Sequence, residues 1–209
     1  MIYIVRHGQT QKNKQKTLQG RSDIPLNETG RQQAEEAGRF LRELGVKPHR
    51  IYSSPLIRAV ETAELIRASF DDAPADRSSL DIVTDERLIE MDYGPYEGMD
   101  LTDPSPEVMA FFMDFAGTPA PEGMEQLSSV VARAGRFLEE IISEARNGDI
   151  IISTHAIAMK GLLEYMTPGS EGSYWSTYVG NCAIYAADVT ERGFDIPHSV
   201  SSSEETPGV

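Results

Sequence analysis

Two short apolar runs in this chain of 209 residues end on a histidine. Residues 2–5 (Ile-Tyr-Ile-Val) empty into Arg6-His7-Gly8, and residues 150–154 (Ile-Ile-Ile-Ser-Thr) stop at His155. Either histidine alone reads as a core or surface residue with its hydrogen bonds satisfied. Arg6 changes the reading of His7. A guanidinium is a planar fork of donors suited to a phosphate or carboxylate, and the imidazole beside it is a candidate nucleophile. Gly8 would let the backbone approach that anion closely. Other chemistries are missing. There is no G-x-x-x-x-G-K-S/T loop and no H-E-x-x-H zinc motif. The single cysteine, Cys182, excludes an internal disulfide and a multi-cysteine metal site. His49 and His198 lack carboxylate or histidine neighbours at ligand spacing and read as surface residues.

For His7 and His155 to act together, both runs must be strands of one sheet with their carboxyl ends on one rim, where open parallel sheets bind ligands. The rest of the chain supplies such a sheet. A polar loop to residue 25 carries Lys12, Lys14, Lys16 and Arg21. Residues 28–44 read as a helix with Ala34, Ala37, Phe40, Leu41 and Leu44 on one face, Asn27 or Thr29 as cap and Gly45 at the stop. Residues 50–53 read as a second strand, followed by a helix bearing Ala59, Thr62, Ala63 and Ile66; residues 71–79 are a polar loop and 81–88 a third strand. The stretch 94–122, rich in Pro and Gly around Val108-Met109-Ala110-Phe111-Phe112-Met113, reads as a partly helical insertion after that strand, covering the site. A long helix follows (Leu127, Val130, Val131, Ala134, Phe137, Leu138, Ile141, Ile142), then strand 149–154, helix 156–165 and strand 182–189. This alternation gives an α/β fold with a mainly parallel central sheet and helices on both faces. The expected organisation is a single domain over residues 1–198 and a polar C-terminal tail, 199–209, disordered by composition.

Arg6-His7-Gly8-Gln9-Thr10-Gln11-Lys12-Asn13 resembles the R-H-G-x-T-x-x-N signature of the histidine phosphatase superfamily, the phosphoglycerate mutase-like clan. Further segments resemble that family in its own order. Leu18-Gln19-Gly20 and Asp23-Ile24-Pro25-Leu26 are similar to its substrate loop, and Ser53-Ser54-Pro55-Leu56-Ile57-Arg58-Ala59 to its S-S-x-x-x-R-A segment. Leu88-Ile89-Glu90 with Gly94 and Glu97-Gly98 is similar to L-x-E-x-x-x-G-x-x-E-G, and Ser153-Thr154-His155 to its second histidine segment. The resemblance implies that Arg6, Arg58 and His155 cradle a phosphate facing the nucleophile His7, with Asn13, Gln19, Gly20 and Ala156 binding phosphate or substrate. It assigns the proton transfers to Glu90. It implies no metal and no cofactor, because phosphoryl transfer asks mainly for positioning and for neutralising the equatorial oxygens. Two departures stand out: Ala156 where glycine is common, and Gln9 where glutamate is frequent.

Charge narrows the partners. A net charge of -14 argues against nucleic acid or an anionic membrane. No apolar run is long enough to span a bilayer, and no secretory signal is visible, so a soluble cytoplasmic protein is expected, its oligomeric state open. The expected activity is hydrolysis of a small phosphomonoester through a phosphohistidine, independent of metal. The alternatives are a cofactor-dependent phosphoglycerate mutase and a non-catalytic phospholigand-binding protein. A mutase must hold a second phosphate, yet residues 88–132 contain no Lys, Arg or His and carry Glu90, Asp92, Glu97, Asp100, Asp103, Glu107, Asp114, Glu122 and Glu125. This favours the phosphatase. With Met109, Phe111, Phe112, Met113 and Phe115 at hand to line a pocket mouth, a neutral, partly apolar leaving group is expected.

Overall fold

The computed structural model describes residues 1–70, 80–170 and 172–200. In chain order the elements are β1 (Ile2–Arg6), α1 (Gln11–Lys14), α2 (Glu28–Glu43), β2 (Pro48–Ser53), α3 (Ile57–Ala68), β3 (Ile82–Thr84), α4 (Pro106–Met113), α5 (Leu127–Ala145), β4 (Asp149–Thr154), α6 (Ala156–Met166), β5 (Ile184–Ala187), the hairpin β6 (Val189–Thr190) and β7 (Gly193–Phe194), and β8 (His198–Ser199). Single turns of 3₁₀ helix lie at Glu86–Leu88 and Gly94–Tyr96. The main sheet runs β3-β2-β4-β1-β5-β8. Its first four strands are parallel; β5 is antiparallel to β1, and β8 to β5.

The all-apolar runs take the central places because both of their faces are covered. Side chains alternate across the strands. Ile2, Ile4, Ile150 and Ile152 meet Phe137, Leu138 and Ile141 of α5 and Leu162 and Leu163 of α6 on one face. Tyr3, Val5, Ile51 and Ile151 meet Ala37 and Leu41 of α2 and Ala63 and Ile66 of α3 on the other. Helices therefore cover both faces. The pairing of β1 with β4 matters most for function: Arg6 sits opposite Thr154, and the His7 amide continues the ladder onto the Thr154 carbonyl at 2.8 Å. That register delivers His7 and His155 side by side, ring centroids 5.1 Å apart.

Several sequence expectations shift. The polar loop after β1 contains α1, a single turn closed by a reciprocal capping box: the Thr10 hydroxyl accepts from the Asn13 amide, and Asn13 Oδ1 accepts from the Thr10 amide. The third strand stops at Thr84, because Asp85 turns its carboxylate onto the Arg87 amide and starts a 3₁₀ turn. The last long strand shrinks to β5, since Cys182 adopts a left-handed φ of 55°. The tail begins later than residue 199: Ser199 pairs with Tyr185, and the Val200 amide donates to Ile184 at 3.0 Å. The expected loop at 71–79 and the rest of the tail lie outside the described residues. Residues 94–122 contain α4, whose Val108 and Phe111 pack with Leu18, Met91, Tyr93, Val130, Ile157 and Trp175 into a third apolar cluster. No helix among the described residues is long and apolar enough to cross a membrane.

Candidate active site

A cavity of about 440 Å³ opens where β1 and β4 end. Arg6, His7, Asn13, Gln19, Glu90 and Lys160 contribute polar lining beside Ala156, against walls that include Leu18, Tyr93, Met109, Phe112, Phe115 and Tyr178. His7 is buried, and its two ring nitrogens have different partners. Nδ1 lies 2.7 Å from the Gly8 carbonyl oxygen, which can only accept, so Nδ1 carries the proton. Nε2 is left with a lone pair, toward which Arg58 Nε–H points at 3.3 Å. Burial, then the charges of Arg58 and Arg6, push the His7 pKa well below 6.5. A neutral imidazole with its lone pair at Nε2 is the form a nucleophile needs.

Arg58 is completely buried, and burial lowers its pKa only to about 10, so it stays charged at neutral pH. Its fork is aimed by two carbonyls: Nη2 donates to Gly20 at 2.6 Å and Nη1 to Ser22 at 2.7 Å. Arg6 donates through Nη1 to the Val179 carbonyl, while its buried Nε has no partner. His155 is completely buried, with Nε2 2.7 Å from Ser54 Oγ and Nδ1 unpartnered. Burial, then Arg58, His7 and Arg6, hold its pKa well below 6.5. His155 therefore offers hydrogen-bonding capacity here, not charge. Gln19 Oε1 accepts from the Thr10 hydroxyl at 2.7 Å, and its buried Nε2 is unpartnered. Of these residues, Arg6 and Gln19 line the cavity. Glu90 stands beside it, its carboxylate accepting from the amides of Met91 (2.9 Å), Ala158 (3.0 Å) and Ile157 (3.3 Å). Two of those amides belong to the first turn of α6, so that helix end fixes the carboxylate. Among the described residues, no group of three or more His, Cys, Asp or Glu is arranged to hold a metal.

Residues 2–200 match the model of the histidine phosphatase superfamily (branch 1). The chain belongs to that superfamily. A phosphoglycerate mutase-like protein 4 of Arabidopsis thaliana is 32% identical over 81% of this chain and 72% of its own length. A Bacillus subtilis protein named uncharacterized phosphatase PhoE is 30% identical over 93% of this chain and 91% of its own. The solved structure of Bacillus stearothermophilus YhfR superposes with a TM-score of 0.77 at 28% identity, covering 93% and 94% of the two chains.

Against this histidine phosphatase frame, each expected site residue can be placed. Arg6, His7, Asn13, Gln19, Glu90 and Ala156 line the cavity together. Asn13 has its Oδ1 committed to the α1 cap, so only amide N–H donors remain to meet an anion. Arg58 and His155 lie one layer behind, against His7. Gly20 does not face the cavity. Its amide donates to Glu97 Oε2 at 2.8 Å and its carbonyl holds Arg58, so it orients the cradle. Gly8 is likewise glycine for a different reason than expected: a Cβ there would meet the Gly30 carbonyl oxygen of α2 at 2.2 Å. Two residues were given no role at the site from sequence. Glu97 pins residues 20–22 through the Gly20 amide and the Ser22 hydroxyl. Lys160, 7% exposed, enters the cavity from α6. The available signal for Lys160 was a lone cation in an otherwise apolar helical run, one turn after Ala156.

Proposed function

We propose that this protein is a phosphomonoester hydrolase that carries the phosphoryl group on His7. One observation carries the reading: His7, a side chain of the cavity shared with Arg6 and Glu90, is held neutral with its Nδ1 proton on Gly8, and its unprotonated Nε2 is oriented by Arg58 Nε–H. In the first step Nε2 bonds to phosphorus and the bond to the leaving oxygen breaks, that oxygen taking a proton from Glu90. In the second, Glu90 accepts a proton from a water whose oxygen attacks phosphorus, and the bond to Nε2 breaks, freeing inorganic phosphate. Arg6 and Arg58 supply charge to the equatorial oxygens, and His155, Gln19, Asn13 and the Ala156 amide supply hydrogen bonds. Relatives named both as phosphatase and as phosphoglycerate mutase-like support phosphoryl chemistry without choosing between the two.

The mutase reading gains one observation from Lys160, a further cation in the cavity. Against it stands a cover whose residues 88–132 contribute no cation. The test is steady-state turnover of an aryl phosphate with EDTA present, alongside 3-phosphoglycerate with and without 2,3-bisphosphoglycerate. Hydrolysis unaffected by chelation supports the proposal. Efficient phosphate migration to the 2-position, or activity lost with EDTA and restored by a divalent metal, overturns it.

A further inference from the structure

Lys160 has no task in the reaction above, yet it is buried in the same cavity as His7. Its Nζ donates to the Trp175 carbonyl at 2.7 Å and sits 4.9 Å from the centre of the Phe115 ring. An ammonium carries three N–H donors, and a carbonyl plus a ring face supply only neutral partners. No carboxylate among the described residues forms an ion pair with it; the charges it feels are those of Glu90 and Arg6 at longer range. An ammonium removed from water without a counter-charge is costly, so an arriving anion would find an unmatched partner ready.

The helix fixes where that anion must be. Ala156 and Lys160 are four residues apart on α6 and so share a face, about 6 Å apart along the axis. The phosphate end of the cavity is at Ala156, where α6 begins beside His155. The contacts with the Trp175 carbonyl and the Phe115 ring hold the Lys160 ammonium away from that end. The apolar lining of the same cavity includes Phe112, Phe115, Met109 and Tyr178. The site thus combines an anion cradle, an apolar lining and one compact positive charge about one helical turn from the phosphate end.

From this the geometry points to Lys160 as the residue that selects the leaving group, its ammonium binding a carboxylate on the organic half of the phosphomonoester. The assignment rests on the hydrolase reading and amends the expectation of a neutral leaving group: the group is apolar in its middle and singly anionic at its end. A carboxylate fits better than a second phosphate because one monovalent cation balances one negative charge. A dianion would remain half-compensated beneath an acidic cover. Burial lowers the Lys160 pKa to about 8, with Glu90 opposing and Arg6 adding to the shift, so the ammonium form prevails at neutral pH.

The bland alternative is that Lys160 only ties down residues 172–177 through the Trp175 carbonyl. Calorimetric affinities for phenylphosphonate and 4-carboxyphenylphosphonate, which cannot be hydrolysed, separate the two roles. The wild-type protein should bind the carboxylated ligand about 10- to 100-fold tighter, the range of one charge-assisted hydrogen bond. In Lys160→Met that ratio should fall to about one, and in Lys160→Arg it should largely survive. A wild-type ratio near one overturns the assignment even if no variant folds. So does a ratio that persists in Lys160→Met, or tighter binding of benzene-1,4-bisphosphonate than of the carboxylated ligand. Turnover of phenyl phosphate judges the hydrolase reading separately: its absence would sink that reading while the affinity ratio still judges Lys160.

Discussion

At the phosphate end of the cavity, Ser53, Ser54, Arg58, Ser153, Thr154 and His155 have no exposed surface, whereas on the cover Met113 is 80% exposed and Met109 44%. The buried set is cross-linked through the backbone: Ser153 Oγ donates to the Ala59 carbonyl at 2.8 Å and Thr154 Oγ1 to that of Leu88 at 2.7 Å. The cover is held differently. Phe115 meets both Phe111 and Phe112 edge to face, its ring centred 4.9 Å from that of Phe111, and α4 has no side-chain N-cap. Loop backbone bonds, Leu18 to Met99 (2.8 Å) and Gly98 to Leu18 (2.9 Å), fasten its base. Phosphoryl transfer loses rate steeply with misplacement, so its groups sit on strand ends locked by hydrogen bonds. Substrate choice tolerates looser, non-directional packing, and the residues that govern it occupy the cover and the face of α6.

The sharpest way to break this division is at Glu90. Glu90→Gln should reduce turnover of substrates with poor leaving groups by about 10²- to 10⁴-fold, and much less for an activated aryl phosphate, whose leaving oxygen hardly needs a proton. Equal losses on both would remove Glu90 from proton transfer. A smaller effect is expected at Glu97, which touches no cavity atom but holds the carbonyls that aim Arg58. Glu97→Ala should raise KM for phosphate esters by about tenfold with a lesser change in kcat, and Glu97→Gln should recover part of the loss. A change confined to thermal stability would assign Glu97 to the scaffold alone. The least drastic test is pH. Because burial and two guanidiniums lower the His7 pKa, the neutral form persists below histidine's ordinary 6.5. The acid limb of kcat/KM set by His7 should therefore fall well below that value. A limb at or above 6.5 would mean that the attacking group is not this buried imidazole.

How far the sequence speaks follows the same division. Strand-end chemistry was legible, because an apolar run that stops at a histidine states both the element and the end of it that faces ligand, as at His7 and His155. The sheet's two covered faces followed from isoleucine-rich runs that carry no polar alternation. The link from Gly20 to Glu97 was not legible, since it joins positions 77 apart through a backbone amide that no side-chain pattern marks. The charge state of His155 was not legible either: complete burial, then Arg58, His7 and Arg6, hold its pKa well below 6.5, which residue type alone cannot reveal. Lys160 was overlooked because cations were sought in the segment over the site, whereas α6 carries one in from beneath. The turn α1 is four residues long and is set by two capping hydrogen bonds, too local for a periodicity to register.

The central claim is that the phosphoryl group passes through His7. Rapid-quench mixing of the protein with a ³²P-labelled aryl phosphate, kept out of acid and followed by peptide mapping, tests it directly. The account predicts about one acid-labile, base-stable phosphate per chain on the peptide bearing His7, formed and discharged at rates consistent with kcat and absent from His7→Ala. Label on another residue, or near-full turnover by His7→Ala, would contradict it.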